Sequence, residues 1–407
     1  MSKDSGQFTE ESINYMKYTD LTYRKKLGQY FTPKSIREQL LSRLPKITSP
    51  KILDPSCGTG EFLISCDKLF NQAGLCGVEI DENLVNIAKH NTRGQILCKD
   101  ALVLEAEPIY DFVVGNPPYF EFKPDSTIKR KFYEVINGRS NIFSMFIKLG
   151  LDFLKEGGYL AYVIPPSMNN GAYFNKLRTY IYNNSNIEYL SILKKEAIFN
   201  DVRQTVMLLI LKKGKNHKDY IFKRNGIVIF SENYKLLREK YKNTVSLRDL
   251  GYRVKTGTIV WNQHKEKLTN DSKGTIPLIW SHNIQNNLLT LPFNQDKKPQ
   301  YIHYPVYDTG PSIVVNRVTG LVSKAKLKAA LIPDGMIYVG ENHLNIIYKD
   351  NYNNNEYLFK INDKPKLSLE RIHKQIISED TINIMRNITG NTQISKTELE
   401  LLLPLKV

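Results

Sequence analysis

Five short apolar runs punctuate the first half of the chain, at 51–54, 75–80, 95–98, 109–115 and 158–164, and stretches with apolar residues at helical spacing fall between and after them, near 60–70, 82–91, 141–156 and 172–183. Short runs of this kind read as strands, and repeats at i, i+3 and i+4 read as amphipathic helices. Their alternation predicts an α/β fold, a doubly wound and mostly parallel sheet covered on both faces. Two later runs, Ile187 to Leu193 and Thr205 to Leu211, are close enough in sequence to form a terminal antiparallel pair. After Lys215 the rhythm is lost. The segment 216–243 is charged and tyrosine-rich and reads as a tail leading into a linker, and a second region opens near Val245 with short strand signals and Asn-, Gly- and Lys-rich loops but no heptad or repeat. The expected organisation is therefore one domain over 1–243 and another over 244–407.

Chemistry enters at the end of the fourth run. Asp111-Phe112-Val113-Val114-Gly115 delivers Asn116-Pro117-Pro118-Tyr119 to the carboxyl end of a strand. An amide oxygen and a proline-stiffened carbonyl can both accept hydrogen bonds from one –NH₂ group, while an aromatic face stacks on the ring that carries it. An ordinary Pro-Pro turn is the plainer reading of these four residues alone. The first run leads into Asp54-Pro55-Ser56-Cys57-Gly58-Thr59-Gly60, a turn of small residues opening a helical pattern. Such a turn lets backbone approach a ligand at the top of a parallel sheet, although a bare βα turn has the same look. Glu79, 19 residues beyond Gly60 at the end of the second run, stands where a nucleoside-binding sheet holds a ribose diol. Asp100 follows the third run in the same way.

Taken in order, Gly28-Gln29-Tyr30-Phe31-Thr32-Pro33, Asp54 to Leu63, Gly77-Val78-Glu79-Ile80-Asp81, Asp100, and Asn116 to Tyr119 resemble the γ-class, TaqI-like DNA N6-adenine amino-methyltransferases of restriction-modification systems. The resemblance covers roughly the first 230 residues well and the remainder only in general layout. It implies a Rossmann-like S-adenosylmethionine methyltransferase fold followed by an α+β target-recognition domain. Thr32 then reaches the methionine part of S-adenosylmethionine, with Asp54 and Gly58 at the same end; Glu79 holds the ribose and Asp100 the adenine amine. Tyr30, Ser56, Ile80, Ala101 and Asn116 complete the implied cofactor set, together with Phe146, which also fits a plain core position in its helix. The implied catalytic set is Asn116, Pro117, Pro118, Tyr119 and Phe199, the last either touching a flipped base or simply plugging the core. The glycine turn begins with Asp54 where some members carry Glu, a change that keeps the carboxylate.

The remaining composition narrows the partners. A net charge of +16 favours a polyanion, here double-stranded DNA, and both halves share it: from Thr244 onward there are 21 Lys and Arg against 15 Asp and Glu. Arg253 and Lys255 are candidate phosphate contacts in the second region. The four cysteines lack any Cys-x-x-Cys spacing, so no metal is expected and a reducing, cytoplasmic setting is, in a prokaryotic cell near the nucleoid. No membrane segment or signal peptide is expected, the chain should act as a monomer on DNA, and any restriction endonuclease would be a separate protein. Release-factor glutamine N5-methyltransferases and rRNA base methyltransferases share parts of the pattern. A non-enzymatic DNA-binding relic would show damage to the cofactor or acceptor residues, and none is visible.

Overall fold

The predicted strand runs become β1 (Lys51–Asp54), β2 (Gly74–Glu79), β3 (Gln95–Cys98), β4 (Tyr110–Gly115) and β5 (Leu154–Ile164), and the later pair becomes β6 (Ser185–Leu193) and β7 (Val206–Lys213). The computed structural model describes residues 6–138, 140–169, 174–193, 206–215, 219–292, 298–317, 327–350, 366–389 and 394–407. The strands form one sheet in the order β3-β2-β1-β4-β5-β7-β6. All are parallel except β7, which runs antiparallel to both of its neighbours. Leu53 sits beside Cys76 on one side and Val113 on the other.

Period-two alternation sends successive side chains to opposite faces, and both faces are buried. Leu53, Val113, Leu160 and Tyr162 pack with Phe143 and Leu149 on one face. Ile52, Phe112, Val114 and Ala161 pack with Leu40, Leu63 and Val85 on the other. The helices are therefore amphipathic or fully buried as their side of the sheet demands. Seven large apolar side chains of Phe143–Phe153, including Met145, Ile147 and Leu151, are buried, each stabilising by about 1.5–3 kcal/mol.

Two segments hold elements that were not foreseen. Residues before the first strand fold into α1 (Glu10–Tyr18), α2 (Leu21–Lys26) and α3 (Lys34–Leu41). The segment read as a tail contains strands Ile221–Arg224 and Ile227–Phe230, the second wholly buried, and a helix at Tyr234–Lys240. Its lysines and tyrosines masked an Asn-Gly turn, whose two residues have φ of 48° and 77° as tight hairpins require.

The chain divides into two compact units: Met1–Met168 with Tyr173–Ile221 and Val228–Tyr234, and Asn169–Ala172 with Phe222–Ile227 and Lys235–Val407. The second is built on an antiparallel sheet of Tyr252–Thr256, Leu344–Lys349, Ser312–Asn316 and Ala329–Ile332, a smaller five-stranded sheet, and helices at Leu369–Ile376, Glu379–Thr389 and Lys396–Leu402. Among the described residues no helix is long and apolar enough to cross a membrane.

Candidate active site

Strand order reverses direction at β1, with β2 and β3 on one side and β4 on the other, so the loops leaving the carboxyl ends diverge and open a crevice. A cavity of about 300 Å³ lies within the first unit, walled by those loops and by residues 27–32. Tyr30, Thr32, Asp54, Ser56, Gly58, Glu79, Ile80, Asp100, Ala101, Asn116 and Phe146, the whole set expected from the sequence, line it. Phe146 both belongs to the core cluster and lines the cavity.

The glycine turn is shaped by its backbone. Gly60 starts α4 (Glu61–Leu69) at φ 86°, a conformation glycine adopts freely. The Gly58 amide donates to Glu79 Oε2 at 2.9 Å, while Glu79 Oε1 accepts from the Ile80 and Asp81 amides at 2.8 and 3.0 Å. Oε2, with one donor, keeps lone-pair capacity for a further one. Burial raises the Glu79 pKa, with those amides acting in the opposite sense. Asp100 Oδ1 caps the turn Ala101–Val103 through the Leu102 amide at 2.9 Å. Asp54 is 1% exposed, accepts from the Ser56 amide at 3.1 Å, and burial pushes its pKa up to about 8. Ser56 Oγ is buried without a hydrogen-bond partner.

Asn116 projects from the end of β4. Its Nδ2 donates to the Tyr30 carbonyl at 2.9 Å and to Thr32 Oγ1 at 3.0 Å. A carbonyl oxygen only accepts, so it fixes which end of the amide faces it, and Oδ1 is presented as an acceptor on the other side. That oxygen is within hydrogen-bond reach of the Tyr119 hydroxyl, which also reaches the Val163 carbonyl at 2.7 Å. One hydroxyl proton serves two acceptors, and burial raises the phenol pKa, keeping it a donor.

Tyr119, expected to stack on the target ring, has a stacking neighbour of its own in the structure. One face of its ring is stacked on Tyr30, with centroids 5.7 Å apart and planes 20° apart, the offset arrangement that aromatic pairs favour. Pro118 lines the cavity, whereas Pro117 is buried. Phe199 lies outside the described residues. Arg253 and Lys255 are not free cations: Arg253 pairs with Asp350 at 3.0 Å and Glu400 at 3.3 Å, and Lys255 pairs with Asp308. Their neighbouring carboxylates already neutralise the charge a phosphate would have sought.

Sequence reasoning missed a clamp beside the cavity. Arg37 and Glu61, both cavity-lining, form a buried ion pair at 2.7 Å. Arg37 also donates to the Thr32 carbonyl at 2.5 Å and to Ser65 Oγ at 2.9 Å, and Glu61 Oε1 accepts from the Thr9 amide and hydroxyl at 2.8 and 3.1 Å. Only the position of Glu61, directly after the glycine turn, hinted at it.

A family model described as N-6 DNA methylase matches residues 15–275, well over half of the chain. The chain belongs to the N-6 DNA methylase family. It is thus an S-adenosylmethionine-dependent DNA N6-adenine methyltransferase. This methylase is 26% identical over 300 residues to the type II methyltransferase M.CvrRI of Paramecium bursaria Chlorella virus XZ-6E, an alignment covering 72% of this chain and 77% of the relative. It is also 26% identical to the type II methyltransferase M.BsuBI of Bacillus subtilis, over 93% of this chain and 87% of that one. The modification methylase CviBIII of Paramecium bursaria Chlorella virus NC1A is 31% identical, but only 59% of its length is spanned. Among solved structures, the M protein of the type I restriction enzyme EcoKI matches 50% of this chain and 46% of its own at 21% identity and a TM-score of 0.40.

The cavity suits the methylase's cofactor on its own chemistry. Carboxylates with spare lone pairs stand at two strand ends, Ile80, Ala101 and Phe146 give an apolar wall, and the orphaned Ser56 hydroxyl and buried Asp54 await a polar, cationic group. Among the described residues, no group of three or more His, Cys, Asp or Glu side chains is placed to hold a metal.

Proposed function

We propose that this methylase acts as the γ-class modification enzyme of a restriction-modification system, methylating an adenine at a specific site in duplex DNA. Its 1–243 region is the catalytic domain and its 244–407 region reads the target. The fixed orientation of the Asn116 amide at the cavity edge is the observation that carries the reading.

Bound S-adenosylmethionine supplies a methyl group on a positively charged sulfur. Glu79 and Asp100 hold its nucleoside by accepting hydrogen bonds, Ile80, Ala101 and Phe146 pack against its rings, and Thr32, Asp54, Ser56 and Gly58 hold the methionine end. Asn116 Oδ1 and the Pro117 carbonyl accept the two N–H bonds of the adenine amine, which draws its lone pair out of conjugation and aims it. No strong base is needed, because the methylated nitrogen sheds its proton readily. Holding the amine in attack geometry can supply roughly 7–11 kcal/mol of the barrier.

Adenine reaches this pocket only when flipped from the duplex, at a cost of a few kcal/mol. Stacking on Tyr119, aided by Phe199, offsets about 1–3 kcal/mol of that. The Tyr119 hydroxyl yields Asn116 Oδ1 to the incoming amine and keeps the Val163 carbonyl. The enzyme works as a monomer in a prokaryotic cytoplasm, alongside a separate cognate endonuclease.

Asn116→Ala tests the assignment: kcat should fall by about 10²–10³ in a labelled-methyl assay on duplex DNA, with cofactor affinity by calorimetry changed only a few-fold. Turnover equal to the unaltered enzyme would remove Asn116 from the mechanism. Labelling rRNA or release factor instead of duplex DNA would replace the substrate.

A further inference from the structure

The cations of the second unit include some in carboxylate pairs and some over aromatic rings, Lys298 over Trp280 being among the latter and Lys255 belonging to both. Arg248, Arg253, Lys240 and Lys255 are each paired with a carboxylate. Lys265 and Lys267 have no ion-pair partner among the described residues and lie instead over aromatic rings: Lys265 Nζ is 5.3 Å from the Trp261 centroid, and Lys267 Nζ is 5.9 Å from that of Tyr304. His264 meets the Tyr304 ring edge-to-face at 5.6 Å.

The geometry is held by backbone. Two short 3₁₀ turns, Trp261–Gln263 and Lys265–Lys267, carry the cations, and the His303 amide donates to the Lys267 carbonyl at 2.9 Å where Leu268–Thr269 pairs with Tyr301–Ile302. Trp261 and Tyr304 are partly buried against Ile259, Leu278 and Ile302, so the rings form a fixed floor. A ring face attracts an ammonium group without cancelling its charge. The two side chains are thus positioned without a neutralising carboxylate, which lowers the entropy lost when they meet an anion. Exposed Glu266 lies between them in sequence and pairs with neither.

We propose that this face, Trp261, His264, Lys265, Lys267 and Tyr304, is the surface through which the second unit grips the phosphate backbone of duplex DNA. The proposal rests on the reading of the enzyme as acting on duplex DNA and names where that grip lies. Two phosphate contacts should each release counterions, and the aromatic floor positions the lysines without reading bases.

The test uses the full-length enzyme and a fluorescently labelled duplex, with anisotropy followed across a salt series. Lys265→Ala/Lys267→Ala should lower the slope of log affinity against log salt by about 1.8 and weaken binding at 0.1 M salt roughly 60-fold, with cofactor affinity unchanged. Lys265→Arg/Lys267→Arg should restore most of it. Lys374→Ala/Lys396→Ala, which removes the same charge from exposed positions elsewhere in the unit, should leave the slope within a few tenths. An unchanged slope in the first variant, or an equal loss in the control, overturns the proposal while duplex binding by the unaltered enzyme still stands. Absence of salt-dependent duplex binding by the unaltered enzyme overturns the underlying reading and the proposal with it.

Discussion

Glu61→Gln should be among the most damaging single-atom changes in the first unit. It removes the counter-charge from Arg37, whose side chain is 3% exposed and whose remaining hydrogen-bond partners, the Thr32 and Gln7 carbonyls and Ser65 Oγ, are neutral. Leaving one member of a buried pair uncompensated costs about 3–5 kcal/mol. Burial already lowers the Arg37 pKa, and Glu61 opposes that, so its loss turns a compensated cation into a liability. The damage should also reach chemistry, because Arg37 holds the Thr32 backbone and the Thr32 hydroxyl holds Asn116. Urea unfolding of the cofactor-free enzyme gives the stability, and steady-state methylation gives kcat. Arg37→Met/Glu61→Gln, with both charges gone, should recover part of the stability but not kcat. A loss below about 1 kcal/mol for Glu61→Gln, or a double variant no better than the sum of the singles, would refute the clamp as an energetically coupled pair.

Other expectations follow from the same site. Burial sets Asp54 near 8 against an ordinary value of 3.8, so this group stabilises the ligand-free fold below about pH 4 and that contribution is lost as pH rises towards 8. A cationic cofactor favours the ionised form, so calorimetric affinity should climb with pH and level off above about 8, and Asp54→Asn should flatten the climb; a flat profile in the unaltered enzyme would contradict it. Tyr119→Phe keeps the ring but removes the hydroxyl at Asn116 Oδ1, so the KM for DNA should hold or fall. Tyr119→Ala should weaken binding of the flipped base by about 1–3 kcal/mol. Equal effects of the two would show that stacking plays no part.

The sheet was legible because its strands are short apolar runs bounded by Gly, Pro, Asn and Asp, and the cavity was legible because each carboxylate ends a strand. What escaped was set by tertiary context. The helices before Lys51 carry so many charges that no local period marks them, and their order comes from contacts such as Thr9 with Glu61 and Arg37 with Thr32. Ile227–Phe230 was lost in a lysine- and tyrosine-rich stretch although all four side chains are buried. Sequence spacing could not show that Tyr30, 89 positions before Tyr119, would stack on one face of its ring. Arg253 and Lys255 looked like free cations because their partners, Asp350, Glu400 and Asp308, are remote in sequence.

The two hydrogen bonds from Asn116 Nδ2 go to a stretch that precedes every strand of the sheet. In the proposed transferase centre the amide is therefore fixed by a segment that precedes the sheet and folds back on it, and until Tyr30 and Thr32 dock, the amide is free to rotate and present either end. A protein with a complete sheet but an undocked 27–32 segment would lack one wall of the cofactor cavity as well as the orientation of the amide.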